Sequence, residues 1–212
     1  LAMGIQRWWA QELAEAGGKA AAPVFTALHE QNGRKLPALM IFREPWTDQR
    51  ALEGIQRCAN ARRALVTDMH VQEDKLTVAA RMVKINGAAL ETEASWEFAG
   101  TPEELPAKLF ELQQDIANRL GLKSETKTWQ EAFGTSNIQA LVSFLVGLGN
   151  LSALQGRCVP TTSDQLLSPL MDALGRAPEM DAAMQALHAM TDILSSGQPD
   201  QGSIPLSIQA LN

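Results

Sequence analysis

Histidine occurs three times in this chain and cysteine twice, and neither falls in a pattern that chemistry would use. His29, His70 and His188 sit in three distant segments with no ligand spacing, whereas a metal site needs several His, Cys or carboxylate groups to converge. Cys58 and Cys158 fall in different halves and read as ordinary buried thiols. No metal and no cofactor is expected. Long apolar runs are missing as well. The nearest, Ile138 to Leu154, is interrupted by Gly147, Gly149 and Asn150, which argues against a bilayer span of roughly 18–20 residues. The same Gly-containing stretch lies inside a helical run rather than after a strand, so it reads as close helix packing and not as a phosphate cradle.

Positive charge is also scarce. Eighteen Lys and Arg stand against 24 Asp and Glu, for a net charge of -6. The basic residues are scattered, so the footprint of a nucleic-acid binder is missing. The opening Leu1-Ala2-Met3-Gly4 lacks an initiator methionine and a basic-then-apolar leader. It is expected to be the interior of a longer chain or a processed product. Membrane attachment would then come only through other segments, and the compartment stays open between bacterial cytoplasm and periplasm.

What is present is globular composition, 45% hydrophobic and 20% charged, over 212 residues. That length suits two small domains, or one domain with a helical appendage. Ile5, Trp8, Trp9 and Leu13 recur at helical spacing before Gly17-Gly18 and predict a first helix, Ile5 to Ala16. Two short strands, Pro23 to Leu28 and Leu36 to Phe42, flank an Asn32-Gly33 turn signal, and Pro37 places the second toward an edge. A second helix, Asp48 to about Arg62, has Thr47 as its N-cap and Leu52, Ile55 and Ala59 on one face.

Three alternating runs follow. They are Leu65, Thr67, Met69 and Val71; Leu76, Val78, Ala80 and Met82; and Leu90, Thr92, Ala94, Trp96 and Phe98. Period two over successive runs, with turns at Asp74 and Asn86-Gly87, predicts an antiparallel meander with one buried face. Its other face would carry Asp68, His70, Arg81, Glu91, Glu93 and Glu97. Thr101-Pro102-Glu103-Glu104 is a capping box ahead of the stripe Leu105, Leu109, Leu112, Ile116 and Leu120, with Gly121 as the stop. Pro106 conflicts with that helix and predicts a kinked first turn. A polar connector at 123–127 marks the expected boundary. Beyond it, three apolar helical runs punctuated by Pro160 and Pro178 predict three helices, and 195–212 reads as a loop or tail.

The succession Ala64-Leu65-Val66-Thr67, the two hairpins, Ser95-Trp96-Glu97-Phe98, Gly100-Thr101-Pro102 and the helix ending at Leu120-Gly121-Leu122 resembles the TolB amino-terminal-like domain. In bacteria that domain precedes tetratricopeptide repeats. The resemblance covers roughly residues 1–122 and implies helices alternating with a small mixed sheet. The family opens on an apolar strand that this chain lacks. Ala173-Leu174-Gly175-Arg176-Ala177-Pro178, with Met184 and Leu187 following, resembles the end of a tetratricopeptide repeat. The expected fold is therefore α/β in the α+β sense. A small mixed sheet closes in a three-stranded meander (1–122), and a tetratricopeptide-like helical segment follows (128–194).

One polar cluster invites an acid/base reading, His70 beside Glu91 or Glu93, provided strand pairing brings them together. Alternating charges on a solvated sheet face explain the same residues without chemistry. Trp8 and Trp9 point about 100° apart on a helix, so one of them could be exposed as a partner anchor or could cover the edge left by the missing strand. Met184 and Leu187 are the other candidate partner contacts, although methionine is more often core filler. A small-ligand pocket near Trp129 and Phe133 is a further possibility. The favoured expectation is a non-enzymatic module that binds a protein or peptide, with homo-oligomers open to it.

Overall fold

In the computed structural model the periodic runs become a mixed α+β fold. The structure describes residues 1–31, 33–42, 44–58, 61–72, 75–123, 127–158, 163–196 and 209–210. The expected turn residues Asn32 and Asp74, the helix residue Ala59, the breaker Pro160 and most of the expected tail lie outside the described residues. In chain order the elements are α1 (Ala2–Glu15), β1 (Thr26–Gln31), β2 (Arg34–Ile41), α2 (Asp48–Arg57), β3 (Arg63–Gln72), β4 (Lys75–Asn86) and β5 (Ala89–Gly100). They continue with α3 (Leu105–Arg119), α4 (Trp129–Phe133), α5 (Ile138–Gln155), α6 (Ser163–Arg176), α7 (Asp181–Ser195) and a two-residue β6 (Gln209–Ala210). The chain divides into two compact units, one from residues 1–41 with 113–210, the other from 42–112. The expected boundary at 123–127 is thereby corrected. The first helix and hairpin belong with the later helices, and α3 begins in the second unit and ends in the first.

The helical unit is organised by α5, which packs with α1, α6 and α7. Eighteen residues long with a mean hydropathy of 1.4, α5 has the length and composition of a membrane span, yet 61% of it is buried inside the fold as a core helix. Leu141, Leu145, Leu148 and Leu151 are each at most 2% exposed. The two glycines of the interrupted run lie at helix contacts, too close for a Cβ at Gly147 and of ordinary van der Waals distance at Gly149. A Cβ on Gly149 would lie 3.4 Å from the Gly4 backbone nitrogen of α1, and one on Gly147 would meet the Leu170 side chain of α6. Gly4 is tighter still, because a Cβ there would land on the Leu145 carbonyl oxygen. The helices α1 and α5 therefore meet backbone to backbone. In the same unit β1 and β2 pair as an antiparallel hairpin, and β6 adds in parallel at Met40 and Ile41.

The second unit is the meander β3-β4-β5, antiparallel throughout, as the alternation predicts. Gly87 at φ +63° supplies the turn between β4 and β5. On β4, Leu76, Val78, Ala80 and Met82 are all buried. A bulge then shifts the register, pairing Met82 with Ala94 but Val83 with Thr92 and leaving Glu93 as the extra residue. Val83, facing the other way, is fully buried, and with Val66 it packs against Ala51 and Ile55 of α2. The expectation of one buried face is corrected accordingly: helix α2 covers part of the second. Arg81, expected on a solvated face, instead bonds the Trp46 carbonyl at 2.6 Å and the carboxylate of Asp48, gripping the start of α2. Thr47 caps that start through the Arg50 N–H, as expected.

Helix α3 also departs in one detail. Thr101 N–H donates to the Glu104 carboxylate at 2.9 Å, but the helix proper begins at Leu105. Pro106 thus falls in the first turn, where its missing N–H has no intrahelical partner to lose, and no kink is required. Gly121 follows at φ +68°, the left-handed stop expected of it.

The helix crossing yields a test with opposite signs at two glycines. Gly4→Ala will destabilise the protein by about 2 kcal/mol or more, since a backbone carbonyl cannot step aside as a side chain can. Gly175→Ala, in open space on α6, will stabilise it by up to about 1 kcal/mol through helix propensity. Urea denaturation of both variants checks the pair.

Candidate functional site

Helix α1 presents Arg7, Trp8, Gln11, Glu12 and Glu15 on one side, residues that recur within one to four positions and so share a face. Opposite stand Ala182, Gln185, Ala186 and Ala189 of α7, and between them Phe144, Leu148 and Leu151 of α5 form the floor. The α7 wall is mostly alanine, and such small side chains leave a cavity of about 270 Å³. Ala132 of α4 closes one side. That short helix is held by a complete capping box, Glu131 N–H to Thr128 Oγ1 and Thr128 N–H to the Glu131 carboxylate at 2.6 Å. Its Phe133 is buried and stacks on Trp8, ring centroids 4.3 Å apart.

Two charged groups give the cavity its character. Arg7 Nη1 donates to Gln155 Oε1 at 2.6 Å and to Ser152 Oγ at 3.4 Å, both neutral acceptors. Its Nε is buried without an acceptor among the described residues. Burial lowers the Arg7 pKa, because the cation has lost water without gaining a counter-charge. A buried unpaired donor costs about 1–3 kcal/mol. Glu12, further along α1, lies 3.4 Å from Lys127 Nζ. Burial raises its carboxyl above the ordinary value, with Lys127 pulling the other way.

The residues singled out from sequence are placed as follows. Trp8 and Trp9 are 3% and 2% exposed, so neither is a surface anchor. A helix covered on more than one side takes both rings inward, and the expected exposure of one is corrected. Met184 is 40% exposed and Leu187 half-buried on α7, so only Met184 of the four stands clear. Asp164, Leu167, Ser168, Met171, Asp172, Gly175 and Arg176 share the outer face of α6, with Met171 61% exposed. Asp172 accepts from Ser143 Oγ at 2.6 Å and from Arg176 Nε, and these bonds hold its carboxyl below the usual range.

The acid/base constellation is not assembled. His70 is exposed and pairs with Thr77, whereas Glu91 pairs with Lys84, seven residues away along β4 and so roughly 23 Å distant. Glu93 is engaged by Arg63 at 2.6 Å and Lys84 at 3.4 Å. Those carboxylates do structural work between strands, and the Arg63 bond holds the Glu93 carboxyl low. Among the described residues no three His, Cys, Asp or Glu side chains could hold a metal ion. Cys158 is buried, which pushes its thiol pKa up, and Cys58 is partly buried; both are free. The alternative pocket residues are only half realised: Phe133 is stacked under Trp8, and Trp129 is half-buried without lining the cavity.

No family model, curated protein or solved structure matches this chain. The cavity residues Arg7 and Glu12, and Lys127 that pairs with Glu12, did not stand out in the sequence. Two charges on the same helical stripe as Trp8 were the available signal, and Thr128 with Glu131 three residues later was the signal for α4.

The Glu12 carboxyl gives a pH test. A raised acid binds its proton more readily in the folded chain, so its share of stability is lost as pH rises from the ordinary carboxylate range through the raised value. Glu12→Gln removes that loss. Relative to the parent, the variant will be more stable at pH 7 than at pH 4, as read by urea unfolding at both.

Proposed function

We propose that the chain is a non-enzymatic interaction module whose α/β elements act as a scaffold and whose helical unit receives a protein or peptide along the outer face of α6. One observation carries this reading. Met171, 61% exposed, sits on the outer face of α6 near Leu167, with Asp164, Asp172 and Arg176 around it. A large exposed apolar side chain rimmed by charge has the composition of a binding surface, since the apolar centre supplies affinity and the rim supplies selectivity. Methionine suits it because its unbranched chain adapts to a partner. Met184 on α7 is a second exposed apolar side chain of the same unit.

The succession α5, α6, α7, each packed on its predecessor, supports the tetratricopeptide-like reading of this part, in which neighbouring helices stack to present a surface. The TolB-like reading of the meander belongs to the same proposal.

A photo-reactive amino acid placed at Met171, and separately at exposed Glu179, tests the surface. Crosslinks to another polypeptide are expected from position 171 and not from 179, and Met171→Asp should weaken the captured interaction about tenfold or more. Equal yields from both positions, or none from 171, would overturn the proposal. An adduct between two copies of this chain would identify the partner as itself.

A further inference from the structure

Beyond partner binding, the cavity of the helical unit carries chemistry of its own. Arg7 is a cation without an anion: both acceptors on its Nη1, Gln155 and Ser152, are neutral, and no carboxylate lies within ion-pair distance among the described residues. With Nη1 held, the Nε–Nη2 side of the guanidinium remains, the edge that takes a carboxylate through two parallel hydrogen bonds. Nε is covered and unbonded, so a carboxylate completes the fork only as the side chain turns.

The rest of the cavity limits what can follow that carboxylate. Phe144, Leu148 and Leu151 offer an apolar floor, and Ala186 and Ala189 a smooth wall. At about 270 Å³ the space lies just below the roughly 300–1,000 Å³ of ordinary ligand pockets, which calls for a compact body. Glu12 and Glu15 line the same cavity five and eight residues further along α1, about 7.5 and 12 Å by helical rise. Lys127 balances Glu12 alone. A second anionic group reaching that end would be repelled.

We infer that this cavity binds a small monocarboxylic acid with a compact apolar body, its carboxylate seated on the Nε–Nη2 edge of Arg7 and its tail on the α5 floor. The inference does not depend on the α6 surface, and either can fail alone.

Thermal unfolding and titration calorimetry of the full chain with hexanoate, hexanamide and adipate test it. Hexanoate is expected to bind and raise the unfolding temperature, hexanamide to lose the carboxylate contact, and adipate to be disfavoured by Glu12 and Glu15. Arg7→Met keeps the apolar stem and should cost about tenfold in hexanoate affinity, the size of one charge-assisted pair. Ala189→Leu should fill the cavity and block binding while unfolding stays cooperative, which decides the matter if the Arg7 variant does not fold. Equal effects of hexanoate and hexanamide, binding by adipate as strong as by hexanoate, persistence of hexanoate binding in Ala189→Leu, or absence of hexanoate binding in the millimolar range would each overturn the assignment. So would a peptide with a free terminal carboxylate that binds where hexanoate does not.

Discussion

At one point two backbones touch, and the helical unit depends on it. Where α1 crosses α5, Gly4 lies against the Leu145 carbonyl and Gly149 against the Gly4 nitrogen, so no side chain separates the helices. So close an approach fixes the rotation of α1 about its axis as well as its position. With that rotation set, Trp8 meets Phe133, and Arg7, Gln11 and Glu12 are aimed at the gap beside α7. The gap survives because α7 answers with alanines where larger residues would have closed it. A steric constraint at one helix crossing thus becomes an electrostatic feature several residues away.

In the meander unit a single inserted residue has a comparable reach. The bulge at Glu93 shifts β5, so that Ala94, Trp96 and Phe98 pair with Met82, Ala80 and Val78 on one face while Thr92 and Leu90 pair with Val83 and Ile85 on the other. The shift brings Leu90 of β5 to the face where Val66 and Val83 meet α2. Arg81 then secures the start of α2, so a residue that reads as a surface charge serves as a clamp. The same bulge gathers Arg63, Lys84 and Glu93 into an ion-pair network, and this is why the carboxylates nearest in sequence to an acid/base role are already occupied.

Legibility followed the range of the interactions. Strands with period two and helices with an apolar stripe write their pattern locally, so the meander, α3 and the trio α5, α6 and α7 could be read from residues alone. Pairing across the chain could not. The stripe of Ile5, Trp8 and Leu13 announces a buried helix but not that its partner is α5, and the division of the chain into units was missed for that reason. The pair Trp8 and Trp9 was misjudged because adjacency on a helix forbids sharing one face but does not forbid two covered faces. The cavity stayed hidden on the same account, since it is made by four helices, the first of them far in sequence from the others. The capping box of α4 was a local signal left unused.

The interrupted unit has a bearing on synthesis. The meander unit is contiguous, residues 42–112, and every contact it needs is available once those residues have left the ribosome. The helical unit is not so placed. Its first helix, carrying Trp8 and Trp9, must wait for α5 before Gly4 finds Leu145, and until then its apolar side lacks the helix it packs on. A nascent chain would hold that helix uncovered while the whole meander is made and folded, the interval in which a chaperone would have something to recognise.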